Sequence, residues 1–347
     1  MSYKFIAASL LSLGLVFAGS LVRAQEALPE QVPVPADNPM TPEKIELGKK
    51  LYFDPRLSAP GTISCNSCHN VMAGGDDQRH LSLGFKAQLG GRNAPTVWNA
   101  AFQSVQFWDG RAASLEDQAK GPITNPVEMG MKSHADLMTQ RISKIPGYQA
   151  EFKKVFGSDK ALTIDNVAKA IAAYERTLIT RNSPFDRYIK GDKKAMSTAA
   201  VDGFETFKSV GCTTCHMGPN FSGPQLPIGT GFYQQFPKFP DADIEKQYRI
   251  SEDNGREKET KKESDRHLFR VPTLRNVALT APYFHNGKVQ TLEEAVRVMG
   301  KTQLNKSLSK KEIGKIVAFL KEGLSGEFPT QTMPRLPETP GTTFIVE

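Results

Sequence analysis

Two short stretches of the sequence each place a pair of cysteines directly before a histidine. Residues 65–69 read CNSCH and residues 212–216 read CTTCH, and together they use all 4 cysteines of the chain. This spacing lets two thiols add across the two vinyl groups of a haem while the adjacent histidine ligates the iron. The pattern predicts two covalent c-type haems. A zinc half-site or a redox pair could explain one such motif, but it explains less well two motifs that use every cysteine. The residues predicted to hold them are Cys65, Cys68, His69, Cys212, Cys215 and His216.

An internal repeat follows the two motifs at a constant offset. Residues 95–99 (PTVWN) match residues 272–276 (PTLRN), and residues 107–111 (FWDGR) match residues 284–288 (FHNGK) without a gap. Residues 114–117 (SLED) then match residues 291–294 (TLEE). The sequence therefore predicts two related units, each with one haem, whose boundary falls near residues 183–200.

The elements that position these residues are expected to be helices. Thr41 followed by Pro42 is typical of a helix start, and Thr163 precedes apolar residues at helical spacing. Capping boxes predict further helix starts at Thr291 and Ser309. No run alternates strictly as a strand would, and residues 241–267 are expected to form a charged, solvated loop. The predicted fold class is mainly α, with two tandem cytochrome c-like domains, one covalent haem in each and an interface between them.

The first 24 residues are typical of a signal peptide. Lys4 precedes an apolar stretch, and Val22 and Ala24 are small residues suited to a cleavage site. A retained membrane anchor is the alternative. The predicted organisation is a signal peptide at 1–24, an N-terminal domain at 25–190, a C-terminal domain at 191–328 and a proline-rich tail at 329–347. An exported, periplasmic protein is expected.

Charge excludes little except a nucleic-acid partner. The formal net charge is +7, and removal of Lys4 and Arg23 with the signal peptide lowers it to +5. Four haem propionates would then bring the protein close to neutrality. The basic composition is therefore weak evidence for binding nucleic acid, and export argues further against it.

The sixth iron position decides whether a haem carries electrons or binds a substrate. Met217 is too close to His216 to reach the opposite face of the second haem. Met299, near the end of a helix expected at 291–299 just before Gly300, is favoured, although core packing also explains a helical methionine. The candidates for this position are Met217, His267, His285, Met299 and Met333.

From about Thr41 to Leu324 the chain resembles the bacterial di-haem cytochrome c peroxidases. The resemblance covers almost all of the expected mature chain. The stretches that carry it are 51–58 (LYFDPRLS), 64–70 (SCNSCHN), 93–97 (NAPTV), 106–112 (QFWDGRA), 121–129 (GPITNPVEM), 271–276 (VPTLRN), 295–305 (AVRVMGKTQLN) and 316–321 (IVAFLK).

The resemblance implies a division of labour between the haems. The haem on His69 would be the low-potential site that binds peroxide, and the haem on His216 and Met299 would be the high-potential site that accepts electrons. Trp108 matches the tryptophan between the haems. Gln118 and Glu128 match polar residues that line the peroxide pocket, with Glu128 as general acid–base.

The resemblance also implies a calcium ion at the domain interface. Asn93 and the backbone carbonyls of Thr280 and Pro282 would bind it, which suits a hard cation that takes oxygen ligands. By the same resemblance the protein would be a homodimer.

One departure from the family concerns the first haem. Many members place a histidine sixteen residues after the proximal histidine, where it caps the oxidised iron. The residue here is Phe85, which cannot ligate iron, and His80 could replace it only if the loop refolds. We therefore expect the first haem to be open before any electron arrives.

The function expected from these features is reduction of hydrogen peroxide to water with electrons from a small cytochrome c or a cupredoxin. One alternative is a di-haem oxidase acting on a protein partner, such as the maturation enzyme for methylamine dehydrogenase. Those enzymes carry tyrosine where this chain has Met299, which favours the peroxidase. The other alternative is a di-haem electron-transfer cytochrome, which would need two six-coordinate irons.

Overall fold

A computed structural model describes residues 25–339, so the predicted signal peptide and the last eight residues of the tail lie outside the described residues. The structure is 44% helix and 5% strand, which confirms the mainly helical prediction. An antiparallel pair is formed by β1 (Tyr233–Gln235) and β2 (Leu268–Arg270), with Gln234 opposite Phe269. The helices are α1 (Pro42–Phe53), α2 (Cys65–Cys68), α3 (Leu115–Thr124), α4 (His134–Asp136), α5 (Pro146–Phe156), α6 (Ile164–Glu175), α7 (Pro184–Ile189), α8 (Thr198–Val210), α9 (Ala242–Tyr248), α10 (Glu257–Thr260), α11 (Leu292–Leu304) and α12 (Lys310–Ala318).

In the first half of the chain, α1 crosses α6 at a glycine. A Cβ atom on Gly48 would lie 1.8 Å from the carbonyl oxygen of Ala170 and 3.1 Å from the Cβ of Tyr174. Only a residue without a side chain allows the two backbones to approach so closely. Leu47 and Leu51 of α1 then pack with Tyr174 in a buried cluster.

The second half repeats this device where α8 meets α12. A Cβ atom on Gly203 would lie 2.0 Å from the carbonyl oxygen of Lys315 and 2.8 Å from the Cβ of Phe319. Phe204 and Phe319 belong to a second buried cluster, which also contains Phe185 of α7. Each half therefore has a hydrophobic core built around one pair of closely crossing helices.

The sequence repeat has matching backbone conformations in the two halves. Asn99 and Asn276 are both left-handed, at φ 61° and 60°, and both side chains donate to the hydroxyl of Thr180, at 2.8 and 2.9 Å. Phe107 and Phe284 share a positive φ as well, of 66° and 70°. The repeated segments thus form equivalent turns that meet at one residue.

Several helix ends agree with the sequence and others do not. Thr41, Thr163 and Ser309 cap their helices as predicted, and Ser309 forms the full capping box. Thr291 caps α11, but the predicted capping box is incomplete because the Glu294 carboxylate accepts from Tyr248 and Arg297 instead.

The extent of α11 and the charged segment correct two further expectations. Helix α11 does not stop before Gly300 but continues to Leu304. Gly300 is not a helix end but a close contact, since a Cβ there would lie 2.9 Å from Leu308. Residues 241–267 are not simply a loop, since they contain α9 and α10 and bury Ile244 and Ile250. The many charged residues of this segment made its few buried apolar side chains hard to recognise from the sequence.

Extended segments at both ends cross between the halves. Gln25 donates to the His216 carbonyl at 2.8 Å, while Arg181 holds the carbonyl of Pro29 at 2.8 Å. In the tail, Gln331 accepts from the Tyr174 hydroxyl at 2.9 Å, and Pro337 accepts from Arg56 at 2.9 Å. No helix within residues 25–339 has both the length and the apolar character needed to cross a membrane.

The crossing at Gly48 predicts a sharp stability effect. Gly48→Ala should lower the free energy of unfolding by at least about 2 kcal/mol, because the methyl group meets a backbone carbonyl that cannot rotate away. Gly314→Ala in α12 is the control, since its Cβ would meet nothing within 4 Å. It should raise the free energy of unfolding by roughly 0.5–1 kcal/mol through helix propensity. Denaturant titration of the holoprotein measures both, and equal effects would contradict the predicted crossing.

Candidate active site

The first motif forms a short helix that ends at its histidine. Cys65–Cys68 make α2, and the His69 backbone NH donates to the Cys65 carbonyl at 3.0 Å. His69 Nδ1 lies 2.9 Å from the Pro95 carbonyl oxygen. Because a carbonyl only accepts, Nδ1 must carry the proton, and Nε2 keeps its lone pair for a metal. Tyr52 further fixes the turn by donating to the His69 carbonyl at 2.7 Å.

The second motif reaches the same arrangement by a different local route. Gly211 ends α8 at φ 107°, and Cys212–Thr214 form a single 3₁₀ turn. His216 Nδ1 lies 2.9 Å from the Phe221 carbonyl oxygen, which again leaves Nε2 free. Burial lowers the pKa of both histidines, so both rings are held neutral.

The donor sets of both motifs fit a covalent haem. None of the four cysteines is in a disulfide, and each pair precedes a histidine whose Nδ1 faces a carbonyl and whose Nε2 is available. Within residues 25–339 no three His, Cys, Asp or Glu side chains are grouped to hold a metal ion, so neither motif belongs to a complete zinc site. Iron in haem needs only the one histidine from each motif.

A buried arginine between the halves also fits haem. Arg270 is 5% exposed, and its guanidinium donates to the carbonyls of Phe107 at 3.1 Å and Val271 at 3.3 Å. Burial lowers its pKa to about 10, and it forms no ion pair with a carboxylate of the described residues. A buried cation with only neutral partners is costly, and a haem propionate would supply the missing negative charge.

Candidates for the sixth ligand of the second haem separate by position. Met299 is half-buried on α11 and packs against the second core. Met333 is 66% exposed on the tail, and His267 Nε2 lies 3.4 Å from Arg266 Nε, which donates to it. His285 is buried and stacks on Phe269 at 4.4 Å between ring centroids. These positions favour Met299.

The repeat shows what takes the place of Met299 in the first half. Helices α3 and α11 are repeat counterparts, and the residue equivalent to Met299 is Pro122. Proline cannot ligate iron and cannot continue the backbone ladder, so α3 ends at Thr124. The Pro122 carbonyl instead accepts from Met129 and Asn125, which folds residues 125–130 into a tight loop.

That loop carries Glu128 beside the first motif. The Asn125 side chain donates to Glu128 Oε1 at 2.8 Å. Gln118 is half-buried on α3, the helix that directly precedes this loop. Burial raises the pKa of Glu128, whereas Arg111 and Asn125 oppose the rise. Burial raises the pKa of the Cys68 thiol most, and the carboxylates of Asp77 and Glu128 raise it further.

Phe85 closes over the same loop. Its backbone NH donates to the Glu128 carbonyl at 2.7 Å, and a Cβ on Gly130 would lie 2.6 Å from the Phe85 ring. Gly84 packs equally closely, since its Cβ would be 2.0 Å from the Val127 carbonyl oxygen. His80 is exposed, and its side chain does not take part in this contact.

Trp108 lies at the junction of the halves. Its Nε1 donates to the Asn93 carbonyl at 2.9 Å, and its ring lies 6.4 Å from the His285 ring in an edge-on arrangement. The indole packs against the second core although it belongs to the first half of the chain. Arg270 links the two halves here by donating its backbone NH to the Trp108 carbonyl at 2.8 Å.

Asn93, one of the predicted calcium ligands, lies at this junction. Asn93 uses its side-chain NH₂ to hold the Arg79 carbonyl at 2.8 Å, which leaves its amide oxygen available. The Gln78 side chain donates to the carbonyl of Leu279, the residue before Thr280.

Sequence reasoning missed a buried acid at the same place. Asp76 is 1% exposed, and neither carboxylate oxygen has a hydrogen-bond partner among the described residues. Burial raises the pKa of the Asp76 carboxyl to about 7. Burial also raises the pKa of the Tyr283 hydroxyl, and the charge of Asp76 adds to that rise. A buried carboxylate without a partner among neutral oxygen donors fits a bound cation.

Other missed residues surround Glu128. Arg111 lies over the Phe107 ring at 3.6 Å, and Asn125 holds the Glu128 carboxylate. A signal existed for Asn125, which stands three residues before Glu128, and for Arg111, which is basic in both repeat copies. Composition alone gave no signal for Asp76.

Comparison with known proteins gives consistent results. A family described as di-haem cytochrome c peroxidase matches residues 42–194. The chain is 46% identical to the cytochrome c551 peroxidase of Nitrosomonas europaea, over 96% of this chain and 94% of that protein. It is also 46% identical to the cytochrome c551 peroxidase of Pseudomonas aeruginosa, over 96% of each chain.

More distant relatives include proteins with another name. The methylamine utilization protein MauG of Methylorubrum extorquens is 36% identical, over 91% of this chain and 88% of that protein. Among solved structures, a MauG-like protein associated with microbial copper homeostasis superimposes with a TM-score of 0.75 at 28% identity, covering 86% of this chain and 95% of that chain.

The position of Met299 predicts a spectroscopic change. Met299→Ala should abolish the thioether-to-iron charge-transfer absorption and lower the reduction potential of one haem, because a thioether favours the reduced iron. Met333→Ala, which truncates an exposed methionine, should leave both unchanged. Absorption spectra and redox titration measure these properties, and an unaltered potential in Met299→Ala would remove it from the ligand set.

Proposed function

Because the chain belongs to the di-haem cytochrome c peroxidase family, we propose that it reduces hydrogen peroxide to water with two electrons from a reduced cytochrome c or a cupredoxin. The chain is an oxidoreductase that acts on peroxide, as relatives named cytochrome c peroxidase are at 43–46% identity. The observation that carries the specific proposal is the half-buried Glu128 carboxyl, whose pKa is raised by burial and whose Oε1 accepts from Asn125, with Gln118 on the adjoining helix.

Two haems of the c type are the proposed cofactors. Cys65 and Cys68 would attach the first haem, with His69 as its iron ligand. Cys212 and Cys215 would attach the second, with His216 and Met299 as iron ligands. A haem whose sixth position is open supplies the iron at which peroxide is cleaved. The proposed domains are residues 25–190 and 191–328, followed by the tail at 329–347.

The proposed division between the haems follows from the family resemblance and from the sixth ligands. A thioether from Met299 would raise the reduction potential of the second haem and suit it to accept electrons. The first haem, without such a ligand, would be the low-potential site.

The pocket residues act on the proton and the position of peroxide. Glu128 takes the proton from the near peroxide oxygen and returns it to the far oxygen as the O–O bond breaks. Asn125 holds the carboxylate in place through Oε1. Gln118 orients the bound peroxide by hydrogen bonding. Trp108, at the junction of the halves, provides an aromatic bridge for the second electron.

A calcium ion would join the two halves at the junction. Asn93 supplies an amide oxygen, and Thr280 and Pro282 supply backbone carbonyls. Asp76 contributes the negative charge that these neutral ligands lack. The ion would thereby fix the segment around Asn93, whose carbonyl accepts from Trp108.

The setting of the protein follows from the same proposal. Export by the signal peptide at 1–24 would place it in the periplasm, where small cytochromes and cupredoxins could reach it, and it would act as a homodimer. The alternative function is oxidation of a protein partner. It is suggested by the relatives named MauG, at 31–36% identity. Met299 favours the peroxidase over that alternative.

Replacement of Glu128 tests the mechanism. Glu128→Gln should slow steady-state peroxide turnover with reduced cytochrome c by roughly 10²–10⁴-fold, because the amide cannot accept the proton. Since burial raises the pKa of Glu128, wild-type activity should decline on the acid side at a higher pH than for an ordinary glutamate. Both haem spectra should be retained in the variant. Wild-type rates in Glu128→Gln would exclude it as the general base.

Phe85 generates a second prediction. The fully ferric protein should lack a dominant bis-histidine low-spin signal from the first haem, since neither Phe85 nor Pro122 can ligate iron. Turnover should then be the same with and without prereduction. Phe85→His should introduce that EPR signal and make turnover depend on prereduction, whereas Phe85→Leu should do neither. A strong bis-histidine signal in the wild type would contradict the open site.

A further inference from the structure

The guanidinium of Arg111 is fixed in place by two kinds of contact. Its Nη1 donates to both carboxylate oxygens of Asp109, at 3.0 and 2.9 Å, and its backbone NH donates to Asp109 Oδ1 at 3.2 Å. The guanidinium also lies over the Phe107 ring, 3.6 Å from the centroid. Asp109 is itself 1% exposed and pairs with Arg92, which forms a second ion pair with Asp253 of the other half. The position of the Arg111 cation is therefore set by contacts that involve both halves of the chain.

Phe107 places this cation beside the helix that leads to Glu128. A Cβ on Gly121 of α3 would lie 3.4 Å from the Phe107 ring. Gly121 stands three residues after Gln118 and directly before Pro122, whose carbonyl anchors the loop that carries Glu128. The edge of the Phe107 ring thus approaches α3, while the guanidinium lies over the face of the same ring.

The sequence repeat shows that this ion pair is particular to the first half. Asp109 and Arg111 correspond to Asn286 and Lys288. The Lys288 backbone NH donates to Asn286 Oδ1 at 3.3 Å, so the turn is retained, but an amide has no charge with which to hold a cation. Lys288 Nζ lies 4.0 Å from Glu252 instead. The first half therefore carries a charged pair that the shared turn does not require.

The charge of Arg111 acts on the Glu128 carboxyl. Burial raises the pKa of Glu128, and the positive charge of Arg111 opposes this rise more than the Asn125 hydrogen bond does. A nearby opposite charge favours the ionised form of a carboxyl. A further titratable neighbour, the Cys68 thiol, would become an uncharged thioether on haem attachment.

Charged groups on α3, and on or beside the segments that touch the Glu128 loop, have partners of their own. They are Lys86 over the Phe85 ring, Lys120 with Asp165, Arg141 with the Ala59 carbonyl, Glu116 with Arg176, and Asp117 with the backbone NH of Ala113.

We propose that Arg111 is a positioning residue for peroxide cleavage, whose fixed positive charge keeps Glu128 in the carboxylate form that takes the proton from peroxide. The inference rests on the proposed function, because it takes Glu128 as the general base. Glu128 gains one proton from the near peroxide oxygen and returns it to the far oxygen, so it ends as a carboxylate again. Arg111 remains protonated throughout, since a guanidinium does not lose its proton in a protein. Asp109 and Phe107 hold the charge where it acts.

The experiment removes the charge and follows Glu128 by two methods. Infrared titration of the ferric holoprotein without peroxide follows the carboxylic-acid stretch that Glu128→Gln lacks. Stopped-flow absorption gives the rate of reaction with peroxide as a function of pH. In Arg111→Gln both profiles should move to higher pH by roughly half a unit or more. The rate on the acid side should fall roughly threefold or more, and the rate at high pH should match the wild type, because Glu128 is then ionised in both proteins.

Three further variants separate charge from structure. Arg111→Lys keeps the charge and should restore most of the wild-type profile. Lys288→Gln makes the same charge change at the repeat counterpart and should leave both profiles unchanged. Arg111→Met retains the apolar contact with Phe107 and replaces Arg111→Gln in the comparison if the glutamine disturbs the haem spectra. A shift in Arg111→Lys or Lys288→Gln as large as that in the neutral Arg111 variants would overturn the inference.

The two methods distinguish this inference from the proposed function. A wild-type holoprotein that does not react with peroxide would overturn the peroxidase, while the infrared profiles would still show whether Arg111 keeps Glu128 ionised. Unshifted infrared and rate profiles in a neutral Arg111 variant, beside a wild type that reacts with peroxide, would overturn the role of Arg111 alone.

Discussion

Each haem motif depends on a histidine ring that is kept neutral and correctly oriented. Each ring gives its Nδ1 proton to a backbone carbonyl, that of Pro95 for His69 and that of Phe221 for His216. Pro272, the repeat counterpart of Pro95, also turns its carbonyl toward His216. The repeated Pro-Thr segments therefore have a physical reason to recur, because each must pass beside its own histidine. Their threonines fix them there, with Thr96 donating to the Gly74 carbonyl at 2.7 Å.

The same repeat brings the two halves together. Asn99 and Asn276 share the Thr180 hydroxyl, and Trp108 meets His285, its own repeat counterpart, edge to face. Equivalent residues thus contact each other across the junction. Packed rings and hydrogen bonds between repeat counterparts therefore join the two halves at this junction.

Much of this was predictable because its signals are local. Each C-x-x-C-H motif and each helix cap, at Thr41 and Ser309, is formed by a few neighbouring residues, and the gapless repeat is found by comparing two such short stretches. Features that depend on distant contacts were not predictable. Gly48 gives no hint that Ala170 lies against it, and Asp76 becomes conspicuous only when its carboxylate is seen buried without a partner.

The difference between the halves comes from one repeat position more than from the scaffold. Where the second half has Met299 within a continuous helix, the first has Pro122, and α3 breaks off two residues later. The break removes a possible iron ligand and at the same time releases the chain into the loop that carries Glu128. If Met299 ligates the second haem as proposed, this one position in the duplicated unit would account for both the closed second site and the open first site.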